Sequence, residues 1–170
     1  MIAIIAEKPS VGQEIARVVG ATEKKDGYMV TWALGHLVSL ALPGTYGYTR
    51  TTAEDLPMLP EPFRLVERQI RTDRGMVTDI AAGKQLKIID EVFSKCDSII
   101  VATDAGREGE LIFRWIYSHL GCTKPFKRLW ISSLTDEAIR KGMADLREGH
   151  ESPASMRPQT AGRRRTGWWA

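Results

Sequence analysis

Apolar residues along this chain fall into short unbroken runs and longer stretches with helical spacing, and the two kinds of block alternate. The first run, Ile2-Ala-Ile-Ile-Ala6, is rich in β-branched residues and reads as a strand. Pro9 follows, and it suits the start of a helix because its missing N–H would have no partner there. Val11, Ile15, Val18 and Val19 lie on one helical face and Gly20 stops it, so the spacing predicts a helix over about Ser10–Val19. Asp26-Gly27 reads as a turn, after which Tyr28–Leu34 and Leu37–Leu40 are expected to form a hairpin or one bent strand. Four of the eight prolines fall between Pro43 and Pro62, with Gly44, Gly47, Glu54 and Asp55 among them, so this stretch is expected to be an irregular surface connection. Phe63–Ile70 predicts a short strand, and Ile80, Leu86, Ile89, Val92 and Phe93 predict a helix over about Thr78–Ser94.

The opening pattern then recurs. Ser98-Ile-Ile-Val-Ala102 is a second fully apolar strand, followed by a polar turn and by Leu111, Ile112, Trp115, Ile116 and Leu120 at helical spacing. Lys127–Ser132 predicts another strand, and Ser133 or Thr135 caps a last helix, Asp136–Leu146, whose acidic first turn complements the helix dipole. Short apolar strands alternating with helices imply an α/β fold in which a mostly parallel sheet carries helices on both faces. Ligands in such sheets bind outside the carboxyl ends of the strands. Two of those ends carry an acid, Glu7 after the first run and Asp104 after the second.

Composition narrows the class without choosing a function. A chain of 170 residues, 43% hydrophobic and 26% charged, is expected to fold as one globular domain. No apolar run approaches the roughly 20 residues of a membrane span, and no basic segment precedes an apolar, cleavable one, so neither membrane insertion nor secretion is expected and the cytoplasm is the predicted location. Cys96 and Cys122 lack metal-ligand spacing and read as reduced thiols. The net charge is +3, but residues 152–170 hold four arginines and no acid, which leaves −1 for residues 1–151. Any contact of the body with nucleic acid must therefore rest on a local patch or on metal-bridged phosphates.

Asp104-Ala-Gly-Arg-Glu-Gly-Glu110 places three carboxylates and an arginine in the turn and first helical turn after a strand. Mg2+ takes hard oxygen ligands and is usually held by one or two carboxylates plus substrate phosphates, so Asp104, Glu108 and Glu7 form a candidate site. The plain alternative is that Glu108 and Glu110 only complement a helix N-terminus. Glu110, two residues beyond Glu108, is expected to point elsewhere. Lys8 can set an ammonium on a phosphate and Arg107 can clamp one with two donors; the bland readings are a solvated lysine and a local ion pair. His36, in Gly35-His-Leu37, is a further candidate near the same edge, although a solitary histidine is more often structural.

Four segments, Ala6-Glu-Lys-Pro-Ser10, Gly35-His-Leu37, Ala102-Thr-Asp-Ala-Gly-Arg-Glu-Gly-Glu110 and Leu134-Thr-Asp-Glu-Ala-Ile139, occur in an order and spacing that resembles the Toprim domain of the type IA topoisomerases of the topoisomerase III kind, over about residues 1–150. The resemblance implies a Rossmann-like Toprim fold, a Mg2+ cofactor, and no nucleotide cofactor. It implies that Glu7 and Asp104 are the magnesium-associated acids, Glu108 the third acid, and Lys8 the lysine that steadies the scissile phosphate, with Glu7 also passing a proton to the departing sugar oxygen. The implied partner is single-stranded DNA, and the implied reaction is attack by a tyrosine hydroxyl on a phosphodiester to give a transient phosphotyrosine link, without ATP. The attacking tyrosine of that family comes from another domain, so this chain alone is expected to be inactive. One departure stands out: many Toprim sequences read Asp-x-Asp, and here Gly106 occupies the second position. A metal would be held more loosely there, or through water, unless a phosphate completes its shell.

Residues 151–170 read as an irregular basic tail that does not continue the family pattern. Two origins are open. A reading-frame shift near Glu151 would explain the loss of acids and apolar periodicity, since codons for Thr166-Gly-Trp-Trp-Ala170 can be read one frame over as the aspartate-tryptophan-leucine-valine-glycine run expected of the family. A native basic tail would instead bind nucleic acid through Arg163–Arg165 and stack bases on Trp168 and Trp169. Sequencing the gene decides between them. Two other functions compete with the main reading: a different Toprim module of nuclease or primase type, which Gly35-His-Leu37 argues against, and a phospho-accepting signalling domain on Asp104, for which a small phosphodonor would be expected to label the chain.

Overall fold

In chain order the elements are β1 (Ile2–Ala6), α1 (Pro9–Val18), β2 (Tyr28–Trp32), β3 (Val38–Leu40), a 3-10 turn (Pro43–Tyr46), β4 (Leu65–Glu67), β5 (Gln69–Thr72), β6 (Gly75–Thr78), α2 (Ile80–Lys95), β7 (Ser98–Ala102), α3 (Arg107–His119), β8 (Phe126–Arg128), α4 (Asp136–Ala144) and β9 (Arg147–Glu148). They come from a computed structural model that describes residues 1–21, 27–48, 60, 62–73 and 75–149. The main sheet has the order β2-β1-β7-β8-β9. Its first four strands are parallel, and β9 closes the edge antiparallel to β8.

The apolar runs form strands because both sheet faces are covered, which makes every position a core position. Ala3 and Ile5 of β1 and Ile99 and Val101 of β7 face Ala82, Leu86, Ile89 and Phe93 of α2 and Ile112, Phe113 and Ile116 of α3. The alternate residues, Ile4, Ile100 and Ala102, face Ile15 of α1 and Ile139 of α4. This period-two division is the strand geometry itself, and it puts α1 and α4 on one face and α2 and α3 on the other. Phe113, fully buried, anchors an aromatic group with Phe126 at 4.9 Å and Tyr117 at 5.4 Å between ring centroids.

The α/β architecture and all four helices agree with the expectation from periodicity, and Thr135 caps α4 through a bond from the Ala138 N–H. Three details differ. β2 and β3 form neither a hairpin nor a bent strand. β2 lies parallel to β1, while β3 pairs antiparallel with β4 in a separate ribbon. The chain turns away between them through Gly35, whose φ of +67° is a conformation few other residues adopt. The single strand expected over 63–70 is divided at Arg68, so that β4 belongs to one ribbon and β5 pairs with β6 in another. The strand expected over 127–132 is β8, which begins one residue earlier and ends at Arg128. The turn at Asp26 and the tail at 151–170 fall outside the described residues. Among the described residues no helix is long and apolar enough to cross a membrane.

Candidate metal and phosphate site

The chain leaves β1 through α1 on one face and returns as β2 on one side; it leaves β7 through α3 on the other face and returns as β8 on the opposite side. The sheet order therefore reverses between β1 and β7, and that is where an open α/β sheet forms its crevice. The two strands are paired in register, Ala6 beside Ala102, so the residues that follow them emerge side by side. The Asp104 N–H donates to Glu7 Oε2 at 3.3 Å. Two carboxylates distant in sequence thus share one strand edge, and among the described residues neither forms a salt bridge.

The turn that carries Asp104 is held from beneath. Thr103 is buried, and its hydroxyl donates to the Gly109 carbonyl at 2.8 Å. A Cβ on Gly109 would lie 2.2 Å from the Asp104 carbonyl oxygen, so only glycine lets the first turn of α3 close onto this loop. Glu110 points inward, as its offset from Glu108 suggested. It is 4% exposed and its carboxylate is shared by Arg114, at 2.7 Å, and by the buried Arg128. Arg128 in turn donates to the Thr103 carbonyl at 3.3 Å. Burial pushes the Arg128 guanidinium below its ordinary value, and the Glu110 charge works against that push.

Glu108 is exposed and meets His36 Nε2 through Oε1. The His36 ring is tilted against Trp115, 5.8 Å away at 57°, and its Nδ1 is buried without a hydrogen-bond partner among the described residues. The loop that carries His36 is fixed from α2 and its approach. Arg68 donates to the Leu34 carbonyl at 3.0 Å and the His36 carbonyl at 3.2 Å while its other nitrogens bind Asp79, and Gln85 donates to the Trp32 carbonyl at 2.7 Å. Lys8 caps the start of α1 in extended conformation, and Arg107 opens α3. Both are exposed, and among the described residues neither pairs with an acid.

The structure therefore joins Glu7 to Asp104 and His36 to Glu108. Among the described residues no three His, Cys, Asp or Glu side chains gather closely enough to hold a metal ion. The Glu7 carboxylate, met by the Asp104 amide and by no cation among the described residues, leaves hard oxygen ligands of the kind a divalent cation takes alongside water and phosphate. Sequence reading missed the supports, namely Thr103, Gly109, Arg128, Arg68 and Gln85. Gly109 carried a local signal, as a glycine inside a predicted first helical turn. The others had none, because their partners are distant in the chain.

Residues 2–134 match the model of the Toprim domain family. The chain belongs to that family. It is 46% identical over 158 residues to a DNA topoisomerase 3 of Bacillus subtilis (strain 168), covering 87% of this chain. It is 48% identical over 157 residues to a DNA topoisomerase 3 of Bacillus thuringiensis (strain Al Hakam), covering 86%. The Toprim chain spans 20% of the length of these relatives. In fold it resembles full-length topoisomerase I from Thermotoga maritima, with a TM-score of 0.54 at 20% identity over 86% of this chain and 21% of that one.

Two consequences are measurable. Gly109→Ala forces a side chain into the Asp104 backbone and is expected to cost about 1–3 kcal/mol, read as a fall in the urea midpoint. Asp79 is held below the ordinary carboxyl value first by its hydrogen bond from Arg68. A depressed folded-state value means that this contribution is complete above the unfolded value, about 4, and is lost as pH falls through the lower folded value. Asp79→Asn is expected to lower the urea midpoint at neutral pH and to shrink the difference from wild type as the pH falls below about 4.

Proposed function

We propose that this Toprim chain is the metal- and phosphate-binding half of the active site of a type IA DNA topoisomerase of the topoisomerase III kind, acting on single-stranded DNA in the cytoplasm with Mg2+ and without a nucleotide cofactor. The observation that carries the proposal is the joining of Glu7 and Asp104 at the β1/β7 switch point, unneutralised and flanked by Lys8 and Arg107. The similarity to DNA topoisomerase 3 supports the same reading.

Glu7 and Asp104, with Glu108, would hold the Mg2+, which when bound supplies positive charge against the negative charge that develops on a phosphate under attack. Lys8 and Arg107 bind the phosphate of the strand to be cut, the ammonium as a point charge and the guanidinium as a two-donor clamp. A tyrosine hydroxyl attacks the phosphorus, a tyrosine–phosphate ester forms, and the bond to one sugar oxygen breaks. The proton of the tyrosine hydroxyl passes to water, Glu7, at the tip of β1, supplies the proton that the departing oxygen takes up, and both transfers reverse on religation. One ester replaces another, so the bond energy is retained and ATP has no part.

The nucleophile must come from outside this site. Tyr28 opens β2 at the opposite edge of the sheet, Tyr46 Oη accepts from the Arg64 N–H, and Tyr117 Oη donates to the Lys124 carbonyl. Gly106, where many relatives of this fold carry a second aspartate, supplies no ligand, which leaves the cation dependent on the substrate phosphate.

Calorimetric titration with Mg2+ in the presence of a short single strand is expected to give heat with the wild type, and at least a tenfold weaker response with Glu7→Gln and with Asp104→Asn. Equal heats from all three proteins would overturn the site. The purified chain with Mg2+ is expected to leave supercoiled plasmid unrelaxed, and relaxation by this chain alone would refute the division of the active site.

A further inference from the structure

We infer that Trp130, braced by Arg147, is a stacking platform for a nucleobase of the strand whose phosphate lies at the tips of β1 and β7. Trp130 follows β8 by two residues. The Leu129 N–H donates to the Val101 carbonyl at 2.9 Å, so the chain past Arg128 continues alongside the end of β7 and brings Trp130 out on the same carboxyl edge as Asp104. Neighbouring strands lie about 4.8 Å apart, which sets this tip within roughly 5–10 Å of those of β7 and β1 along the edge.

The side chain is unlike its surroundings. Leu129 is 2% exposed, whereas Trp130 is 45% exposed, and it alone among the described tryptophans is in the exposed class. The Arg147 guanidinium lies over the indole, 4.3 Å from the ring centroid. Arg147 is held opposite Arg128 by the β8–β9 pairing, and among the described residues it makes no salt bridge. An indole braced by an arginine that has no acidic partner among the described residues combines the two features that single-strand binders use, an aromatic face for any base and a cation for the adjoining phosphate. A duplex would keep its bases stacked and out of reach, so the ligand is an unpaired nucleotide.

This inference rests on the DNA reading above, and the experiment separates the two. The 170-residue chain is titrated at low salt with labelled oligo(dT) and with the same strand carrying abasic sites. Stacking on one aromatic is worth roughly 5- to 150-fold in affinity. The wild type is expected to prefer the intact strand about tenfold, Trp130→Ala to lose that preference, and Trp130→Phe to keep most of it. The dependence of affinity on salt is expected to stay unchanged in Trp130→Ala, and to flatten by about 0.7 in log–log slope in Arg147→Ala, as for one phosphate contact on a single strand. Charge-dependent binding that is indifferent to both the bases and Trp130 overturns the platform alone. Absence of any binding by the wild type overturns the platform together with the DNA reading.

Discussion

The site depends on the in-register parallel pairing of β1 with β7. Ala6 lies beside Ala102, so Glu7 and the Thr103-Asp104 turn emerge together, and the Asp104 amide closes onto the Glu7 carboxylate. A shift of one residue would send every β7 side chain to the opposite face. Ile100 would leave the group around Ile15 and Ile139, and Val101 the group around Phe93 and Phe113. The core therefore sets the register, and the register sets the distance between the acids. Burial of both sheet faces is the force behind the geometry of a polar edge.

Beneath that edge lies a second, buried layer of charge. Removing Glu110 and Arg128 from water costs several kcal/mol for each ion, and their attraction offsets this only when the remaining polar atoms are satisfied. Here Arg114 takes the other Glu110 oxygen and the Thr103 carbonyl takes the other end of Arg128. The pair ties β8 to the first turn of α3 and to the residue before Asp104. Its value lies in fixing position more than in net stability, which suits a turn that must hold a carboxylate at a defined place. The hydroxyl of Thr103 and the missing side chain of Gly109 complete the same clamp.

The opposite flank is built from a different part of the chain. Arg68 takes up the Leu34 and His36 carbonyls of the loop 33–37, and Gln85 takes the Trp32 carbonyl at the end of β2 just before it. That brings His36 to Glu108 from across the crevice. Two acid-centred pairs thus stand at this edge, Glu7 with the Asp104 amide and Glu108 with His36, and among the described residues Lys8 and Arg107 pair with no acid.

The residues themselves determined much of this. Unbroken apolar runs at 2–6 and 98–102 read as strands covered on both sides, and an acid within two residues of the end of each pointed to the carboxyl edge. The offset of Glu110 from Glu108 was enough to turn one inward and leave the other at the surface. What the tertiary structure alone decided is which strands are neighbours. Nothing local distinguishes β2 as a parallel partner of β1 from β2 as half of a hairpin with β3, because both pairings satisfy the same alternation of side chains. Nothing local places Arg68 against the His36 loop, Arg128 against Glu110, or Arg147 over Trp130. Periodicity along a chain reports which face of an element is buried. The partner that buries it is chosen by packing among segments far apart in sequence, and in this protein that choice is what brings two acidic strand tips side by side.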